Sequence, residues 1–178
     1  SGHKSGSAGG VSLDGDDRPV VNVSWEDAAR YLNWLSEQQG LPTAYLEENG
    51  KMRLKRPLTT GYRLPSEAEW AYAARFAGRQ QAARFPWPGD TFPPVDVQGN
   101  FGDTSARGVV PLVLEGYRDG YPATAPVGSF SANAAGLYDV GGNVAEWVQD
   151  YYAVYPTVVG KTARDPMGPD QGRHHVVR

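Results

Sequence analysis

The chain has 178 residues, of which 40% are hydrophobic, so it is long enough to bury the core of one domain. Its 17 basic and 20 acidic residues give a net charge of -3, and no basic stripe indicates binding to nucleic acid. The absence of cysteine excludes disulfides, cysteine nucleophiles and zinc–thiolate sites within these residues. No apolar run reaches the ~18 residues of a membrane span, so none is expected.

The start of the chain, residues 1–17, is polar and rich in glycine and serine, and we expect a flexible lead-in or loop there. It does not have the pattern of a signal peptide. Because the chain lacks an initiator Met, we expect any targeting signal to lie upstream, and an extracytoplasmic location is favoured. Residues 18–178 are then expected to be the central part of a single domain, entered through a short strand at 18–23.

A first helix is predicted over residues 25–38. Ser24 is a natural N-cap, and the acidic residues that follow it suit the positive end of the helix dipole. Gly40 is expected to end the helix. Its apolar stripe is predicted at Ala28, Leu32 and Leu35.

A hairpin and a second helix are predicted next. Asn49-Gly50 is a strong two-residue turn between two short apolar segments. Ser66 and Glu69 have the spacing of a capping box, which predicts a helix that runs to about Phe76. We therefore expect Glu69 to have a structural role.

The region from 79 to 129 shows no periodicity, and a loop of that length inside a domain needs something to order it. No disulfide is available, so a bound metal ion is the expected source of order. Residues 136–155 are rich in valine, tryptophan and tyrosine, which favours strands.

Three segments, 19–28, 62–75 and 125–147, resemble one family in their residues, order and spacing. They are similar to the domain of formylglycine-generating enzymes, also called sulfatase-modifying factors, with residues 18–152 covered. The resemblance implies an irregular, loop-rich α+β fold that is C-type-lectin-like and has two short helices. It also implies that the chain is the central part of such a domain, clipped at both ends.

The resemblance further implies two calcium sites, built from the carboxylate, amide and carbonyl oxygens that calcium prefers. The first would take its ligands from Asn100, Phe101, Asp119 and Tyr121. The second would take them from Asp139, Gly142, Val144 and Glu146. Without the resemblance, Asp119 and Asp139 would be ordinary turn-forming acids and Glu146 would be the partner of an arginine.

The family's oxidase chemistry uses two cysteine thiols that bind copper and activate oxygen, and this chain has neither. We therefore expect no catalytic residue here, and copper only if cysteines lie beyond Arg178. The favoured function is a calcium-binding scaffold for a polypeptide or other extended ligand, or a different chemistry. The alternative is an oxidase that converts a residue of a polypeptide, of the cysteine-to-formylglycine type, with its cysteines beyond Arg178.

A few aromatic and histidine residues are left outside these assignments. Where the family has Asn-Val-Trp-Glu-Trp, this chain has Ala145 in place of the first tryptophan, which either widens a substrate groove or is a packing change. His174 and His175 are expected to be structural or exposed, because neighbours on a strand point to opposite faces. Core positions are expected for Trp25, Trp34, Trp70 and Trp147. Trp87, Tyr151, Tyr152 and Tyr155 are the better candidates for a ligand-binding surface.

Overall fold

The structure is a computed structural model that describes residues 2–154 and 162–178. Its regular elements within these residues are two α-helices, one short 3-10 helix and three antiparallel strand pairs, joined by long loops. The helices are α1, Trp25–Gln38, and α2, Glu67–Arg75. The pairs are β1, Ser7–Ala8, with β2, Val11–Ser12; β3, Tyr45–Glu48, with β4, Lys51–Leu54; and β5, Trp147–Tyr151, with β6, His175–Val177. The predicted α+β class with two short helices is confirmed.

Helix α1 begins and ends where the sequence predicts. The Ser24 hydroxyl accepts a hydrogen bond from the Asp27 N–H at 3.1 Å, and the Asp27 carboxylate accepts one from the Ser24 N–H at 3.2 Å. This reciprocal pair satisfies two N–H groups that the first turn leaves without a partner. Past the other end, Gly40 takes a φ of 66°, a left-handed conformation that glycine adopts without steric cost.

The buried face of α1 is rotated from the predicted stripe. Trp25, Ala29 and Ser36 are the buried residues, whereas Ala28, Leu32 and Leu35 are only half-buried. The indole N–H of Trp25 donates to the carbonyl of Val148 at 3.0 Å, and the Ser36 hydroxyl accepts from the Tyr62 N–H at 2.8 Å. These polar anchors, which a purely apolar pattern does not include, set the orientation of the helix.

The hairpin and the second helix also form where the sequence predicts them. Asn49 and Gly50 have φ values of 52° and 76°, as the two central residues of a type I′ turn require, and Glu48 pairs with Lys51 across it. At the start of α2, the Ser66 N–H donates to the Glu69 carboxylate at 2.7 Å, and the Glu69 N–H donates to the Ser66 hydroxyl at 3.2 Å.

Glu69 gives a pH-dependent test of this cap. Its hydrogen bonds with the Arg63 guanidinium, and then with the Ser66 N–H, lower its pKa from 4.5 to about 2. A lowered carboxyl pKa stabilises the folded state above pH 4.5, and that contribution is lost as the pH falls towards 2. We expect Glu69→Gln to cost about 1 kcal/mol at pH 7, because the cap and a half-exposed ion pair are weakened.

The measurement is the melting temperature of Glu69→Gln and of the parent from pH 7 to pH 2. The gap between them should close as the pH falls below 4.5. Glu48→Gln, at an exposed pair with Arg53, is the control and should change little at any pH. A gap that stays constant down to pH 2 would show that the carboxylate charge of Glu69 does not stabilise the fold.

One strand prediction was wrong, and another was confirmed only in part. Residues 18–23 form no strand, and Asn22 within them has a φ of 58°, which no strand contains. Within the predicted range 136–155, the described residues form the strand β5, which begins only at Trp147. Asp139 and Asn143 before it have φ values of 56° and 68°, so this stretch forms turns despite its β-favouring composition.

The chain divides into two compact units by contact. The first unit is Ser1–Asn22 with Ala71–Ala145, and the second is Val23–Trp70 with Glu146–Arg178. The second unit contains the hydrophobic core cluster, whose buried members are Trp25, Ala29, Ala44, Tyr45 and Met52. The first unit is mostly loop and contains an aromatic cluster. Phe85 stacks on Trp87 with 4.8 Å between the ring centroids, and Trp87 meets Phe101 edge to face at 5.6 Å. No helix in the described part of the chain is long and apolar enough to cross a membrane.

Candidate metal sites

The first predicted set of ligands meets around one carboxylate in the first unit. Asp119 accepts a hydrogen bond from the Phe101 N–H on Oδ2 and one from the Tyr121 N–H on Oδ1, each at 2.8 Å. Asn100 precedes Phe101 and is buried, with 5% of its surface exposed. The two parts of this set, Asn100-Phe101 and Asp119 with Tyr121, are separated by 18 residues in the sequence and are brought together in the fold.

The side chain of Asn100 has a defined orientation. Its NH₂ group donates to the carbonyl of Ala123 and, at 3.2 Å, to the side-chain oxygen of Asn143. Because an amide has one donor end and one acceptor end, these bonds leave Oδ1 as the end that can coordinate a cation. That is the atom which the predicted site requires.

A second carboxylate, Asp103, lies beside Asp119. Asp103 is fully buried and accepts hydrogen bonds from the Ser105 N–H at 2.6 Å and from the Asp119 N–H at 2.5 Å. Burial, and then the negative charge of Asp103, raise the pKa of Asp119, although the N–H groups of Tyr121 and Phe101 act in the opposite direction. A cation at this place would offset the repulsion between the two carboxylates.

Asp103 was not among the predicted site residues. It follows Asn100 by three positions and is the N-cap of a short 3-10 helix, Thr104–Ala106. The spacing of an acid after an amide was visible in the sequence, but an aspartate that caps a turn gives the same local pattern. What the sequence does not show is the hydrogen bond that Asp103 accepts from the Asp119 N–H, which brings it beside the proposed ligands as well as capping the turn.

In the second predicted set, Asp139 has an unsatisfied oxygen. Its Oδ2 accepts a hydrogen bond from the Gly128 N–H at 2.6 Å. Its Oδ1 is buried and has no hydrogen-bond partner among the described residues. A buried carboxylate oxygen without a partner is costly, and an ion or an ordered water normally satisfies it.

The glycines next to Asp139 allow the chain to pass close to its neighbours. A Cβ at Gly141 would lie 2.8 Å from the Trp87 ring, and one at Gly142 would lie 2.7 Å from the carbonyl oxygen of Asn100. Gly142 also has a φ of 138°, which other residues rarely adopt. The packing therefore requires glycine at both positions.

Glu146, the last residue of the second set, lies in the second unit, whereas Asp139, Gly142 and Val144 lie in the first. Its carboxylate accepts a hydrogen bond from the indole N–H of Trp70. None of the ion pairs among the described residues involves Glu146, and the guanidinium of Arg178 pairs with Glu67 instead. The alternative reading, in which Glu146 is the partner of an arginine, thus finds no support within these residues.

The donor chemistry of both sets fits a hard cation. The side-chain ligands are carboxylates and one amide, and the rest are backbone carbonyls, which is the ligand type of calcium. The described residues contain no group of three His, Cys, Asp or Glu side chains that could hold a metal ion. A group of three such side chains is typical of zinc and copper sites. Each predicted set here has at most two acidic side chains and takes its other ligands from backbone carbonyls and an amide.

The remaining aromatic residues depart in part from prediction. Trp87 is buried with 6% exposed, because it packs between Phe85 and Gly141, whereas Trp34 is 51% exposed on α1. Tyr152 is exposed and Tyr151 is half-buried, and Tyr155 lies outside the described residues. These positions reverse the predictions for Trp87 and Trp34.

The ring of His175 has a packing role. It stacks on Trp25 at 3.8 Å and on Tyr151 at 4.1 Å, and its Nδ1 lies 3.1 Å from the carbonyl oxygen of Gln149. Burial lowers its pKa. A neutral ring sandwiched between two aromatic residues agrees with a structural role.

A cleft of about 340 Å³ lies within the second unit. Its lining includes Trp25, Met52, Arg56, Gln149, Tyr151 and Met167. The Tyr45 hydroxyl accepts from the Leu64 N–H and therefore donates its proton to Oε1 of Gln149, at 2.8 Å. The amide NH₂ of Gln149 is thus the end that remains for other contacts. The cleft combines aromatic and thioether surfaces with donors, which is the character of a ligand site.

Comparison with known proteins gives consistent matches. A family model described as Sulfatase-modifying factor enzyme 1-like domain matches residues 3–178. A formylglycine-generating enzyme of Thermomonospora curvata is 35% identical over 172 residues, which are 96% of this chain and 46% of that enzyme. The chaperone protein LppX of Paenibacillus barcinonensis is 32% identical over 160 residues, 78% of this chain and 54% of that protein.

A solved structure, Treponema denticola variable protein 1, is also similar. It superposes with a TM-score of 0.73 and 28% identity, and the match covers 99% of this chain and 64% of that one. The chain spans about half the length of the curated relatives described above, or less.

Proposed function

Because the chain belongs to the sulfatase-modifying factor enzyme 1-like domain family, we propose that it is a calcium-binding member whose ions order the long loops of the first unit. We propose further that it acts as a binding scaffold for a polypeptide or other extended ligand, or carries a chemistry that does not use cysteine thiols. The observation that carries the calcium proposal is the buried Oδ1 of Asp139, which has no hydrogen-bond partner among the described residues.

In the first site the side chains of Asn100 and Asp119 and the carbonyls of Phe101 and Tyr121 would hold the ion. The contacts of Asp119 with both carbonyl-bearing residues support this set. In the second site Asp139, Gly142, Val144 and Glu146 remain the proposed ligands. A bound calcium ion supplies positive charge to the carboxylates and fixes the carbonyls that coordinate it.

The scaffold function agrees with the names of the relatives, which include a chaperone protein and a variable protein as well as an enzyme. The cleft of the second unit offers a place for an apolar or aromatic group of such a ligand. An extracytoplasmic location would suit it, because calcium modules of about 10⁻⁴–10⁻³ M affinity work outside the cell.

The alternative function is oxidation of a residue in a polypeptide, and the 35% identity to a formylglycine-generating enzyme favours it. In that case the two thiols and the copper they bind would belong to sequence beyond Arg178. The sequence of the whole protein distinguishes the two functions, since two closely spaced cysteines after Arg178 would support the oxidase. Their absence would leave the scaffold or a different chemistry.

The test of calcium binding is a thermal melt in chelator and in excess calcium. An ion that binds only the folded state at a hundredfold excess over Kd stabilises it by about 2.7 kcal/mol per site. For a chain of this size that corresponds to about 5–10 °C in Tm for each site. Magnesium at the same concentration is the control and should give a smaller shift, because it demands a more regular octahedron. Melting curves that do not change with calcium would contradict the proposal.

A further inference from the structure

Asn143 belongs to the chain segment of the second proposed site and is hydrogen-bonded to a residue of the first. It stands in the chain between Gly142 and Val144, whose carbonyls are proposed for the second site. Its own backbone N–H donates to the carbonyl of Asn100 at 2.8 Å. The segment that carries second-site carbonyls is thus hydrogen-bonded to a residue of the first site.

The side chain of Asn143 strengthens this connection. Its Oδ1 accepts hydrogen bonds from the Ala125 N–H at 2.8 Å and from the amide NH₂ of Asn100 at 3.2 Å. Its Nδ2 donates to the carbonyl of Ala125 at 3.2 Å. Both ends of the Asn143 amide are therefore occupied, and one of them orients the side chain of Asn100.

The surrounding backbone leaves little freedom for either residue to move alone. Gly142 approaches the Asn100 carbonyl so closely that a Cβ there would lie 2.7 Å from its oxygen. Asn143 itself has a φ of 68°, a left-handed conformation that asparagine tolerates better than most residues. A shift of residues 142–144 would therefore displace Asn100, and the reverse.

We propose that Asn143 is a positioning residue that couples the two calcium sites, so that occupancy of either site raises the affinity of the other. The inference rests on the proposed function, since it requires both sites to bind calcium. Both sets need the same hydrogen-bonded arrangement of Asn100 and Asn143. The first ion to bind fixes that arrangement, and the second ion then binds to a site that is already ordered. The effect must be reciprocal, because coupling between two ligands is a property of the pair.

A double-mutant cycle followed by calorimetric titration tests the coupling. Asp139→Ala leaves the first site alone and Asp119→Ala leaves the second, so each variant gives the affinity of one isolated site. The product of the two affinities in the parent, divided by the product of the isolated affinities, is the coupling factor. We expect a factor of about fivefold or more in the parent, the lower end of typical allosteric coupling.

The same three measurements are then made with Asn143→Gly, which keeps the left-handed backbone but removes the side-chain bonds. The coupling factor should fall towards one. Asn143→Asp retains the oxygen that accepts from Asn100 and should restore the coupling. A residue that only supports the fold would change the separate affinities and leave the coupling factor as it was, which would overturn the proposal.

If the glycine variant does not fold, the first cycle decides the matter, because it needs only the parent, Asp119→Ala and Asp139→Ala. Two ions that bind independently, with a coupling factor near one, would overturn this inference and leave the calcium proposal intact. A parent that binds no calcium would overturn the proposed function and this inference with it.

Discussion

Replacement of Asp139 by alanine is expected to remove about half of the stabilisation that calcium gives to the chain. The buried Oδ1 of Asp139 has no other partner among the described residues, so without this carboxylate the second site loses an anionic ligand. With about 2.7 kcal/mol per site at a hundredfold excess of calcium, the loss is about 5–10 °C of the calcium-induced rise in Tm.

For each variant, the Tm in chelator is subtracted from the Tm in calcium, and these differences are compared. Alanine at a φ of 56° adds backbone strain of its own, but this lowers Tm equally with and without calcium. Asp139→Asn is the matched variant, because asparagine tolerates this φ and keeps an oxygen that can coordinate. It should retain part of the rise. If Asp139→Ala responds to calcium as fully as the parent, Asp139 is not a ligand.

Replacement of Asp119 by asparagine is expected to reduce the calcium-induced rise in Tm about as much as Asp139→Ala does. In chelator it is expected to change the stability of the fold in a pH-dependent way. In calcium the first site loses a charged ligand, and the rise in Tm should again shrink by about 5–10 °C. In chelator the variant loses one of the two backbone hydrogen bonds of Asp119, which costs about 1 kcal/mol. It also removes a charge that stands beside the buried Asp103.

The pH dependence in chelator follows from the raised pKa of Asp119. Because the folded state holds this proton more tightly than the unfolded state, the parent loses stability as the pH rises from 3.8 through the folded pKa. The variant lacks this loss, so the advantage of the parent over the variant in chelator should narrow as the pH rises. Melts at closely spaced pH values measure it. A gap that widens with pH would show that Asp119 is stabilised as an anion without calcium.

Local structure was predictable where a short segment of the chain makes its own hydrogen bonds or turn. The caps at Ser24 and Ser66 and the turn at Asn49-Gly50 depend on residues within a few positions of each other, and all three were predicted correctly. The burial of Trp87 was not, because it results from contact with Gly141, far along the chain. The strand at 18–23 was wrong for a related reason, since Asn22 departs from extended backbone and its side chain bonds to the carbonyl of Ser5.

The candidate site also depends on contacts between distant parts of the chain, which the sequence does not reveal. Residues 79–129 have no periodicity, so composition alone gave no ligand set, and the sets came from the resemblance to a known family. The resemblance supplied Asn100, Asp119 and Asp139, but it did not include Asp103 or the hydrogen bond between the amides of Asn100 and Asn143. Those depend on hydrogen bonds between loops, which become visible only when the loops are folded.

The most direct test of the central claim is a count of bound calcium. The parent chain, dialysed against calcium and then analysed for metal by mass spectrometry, should contain two ions per chain. Asp119→Asn and Asp139→Ala should each contain fewer, and the double variant should contain none. A parent chain that retains no calcium above the level of the dialysis buffer would contradict the account.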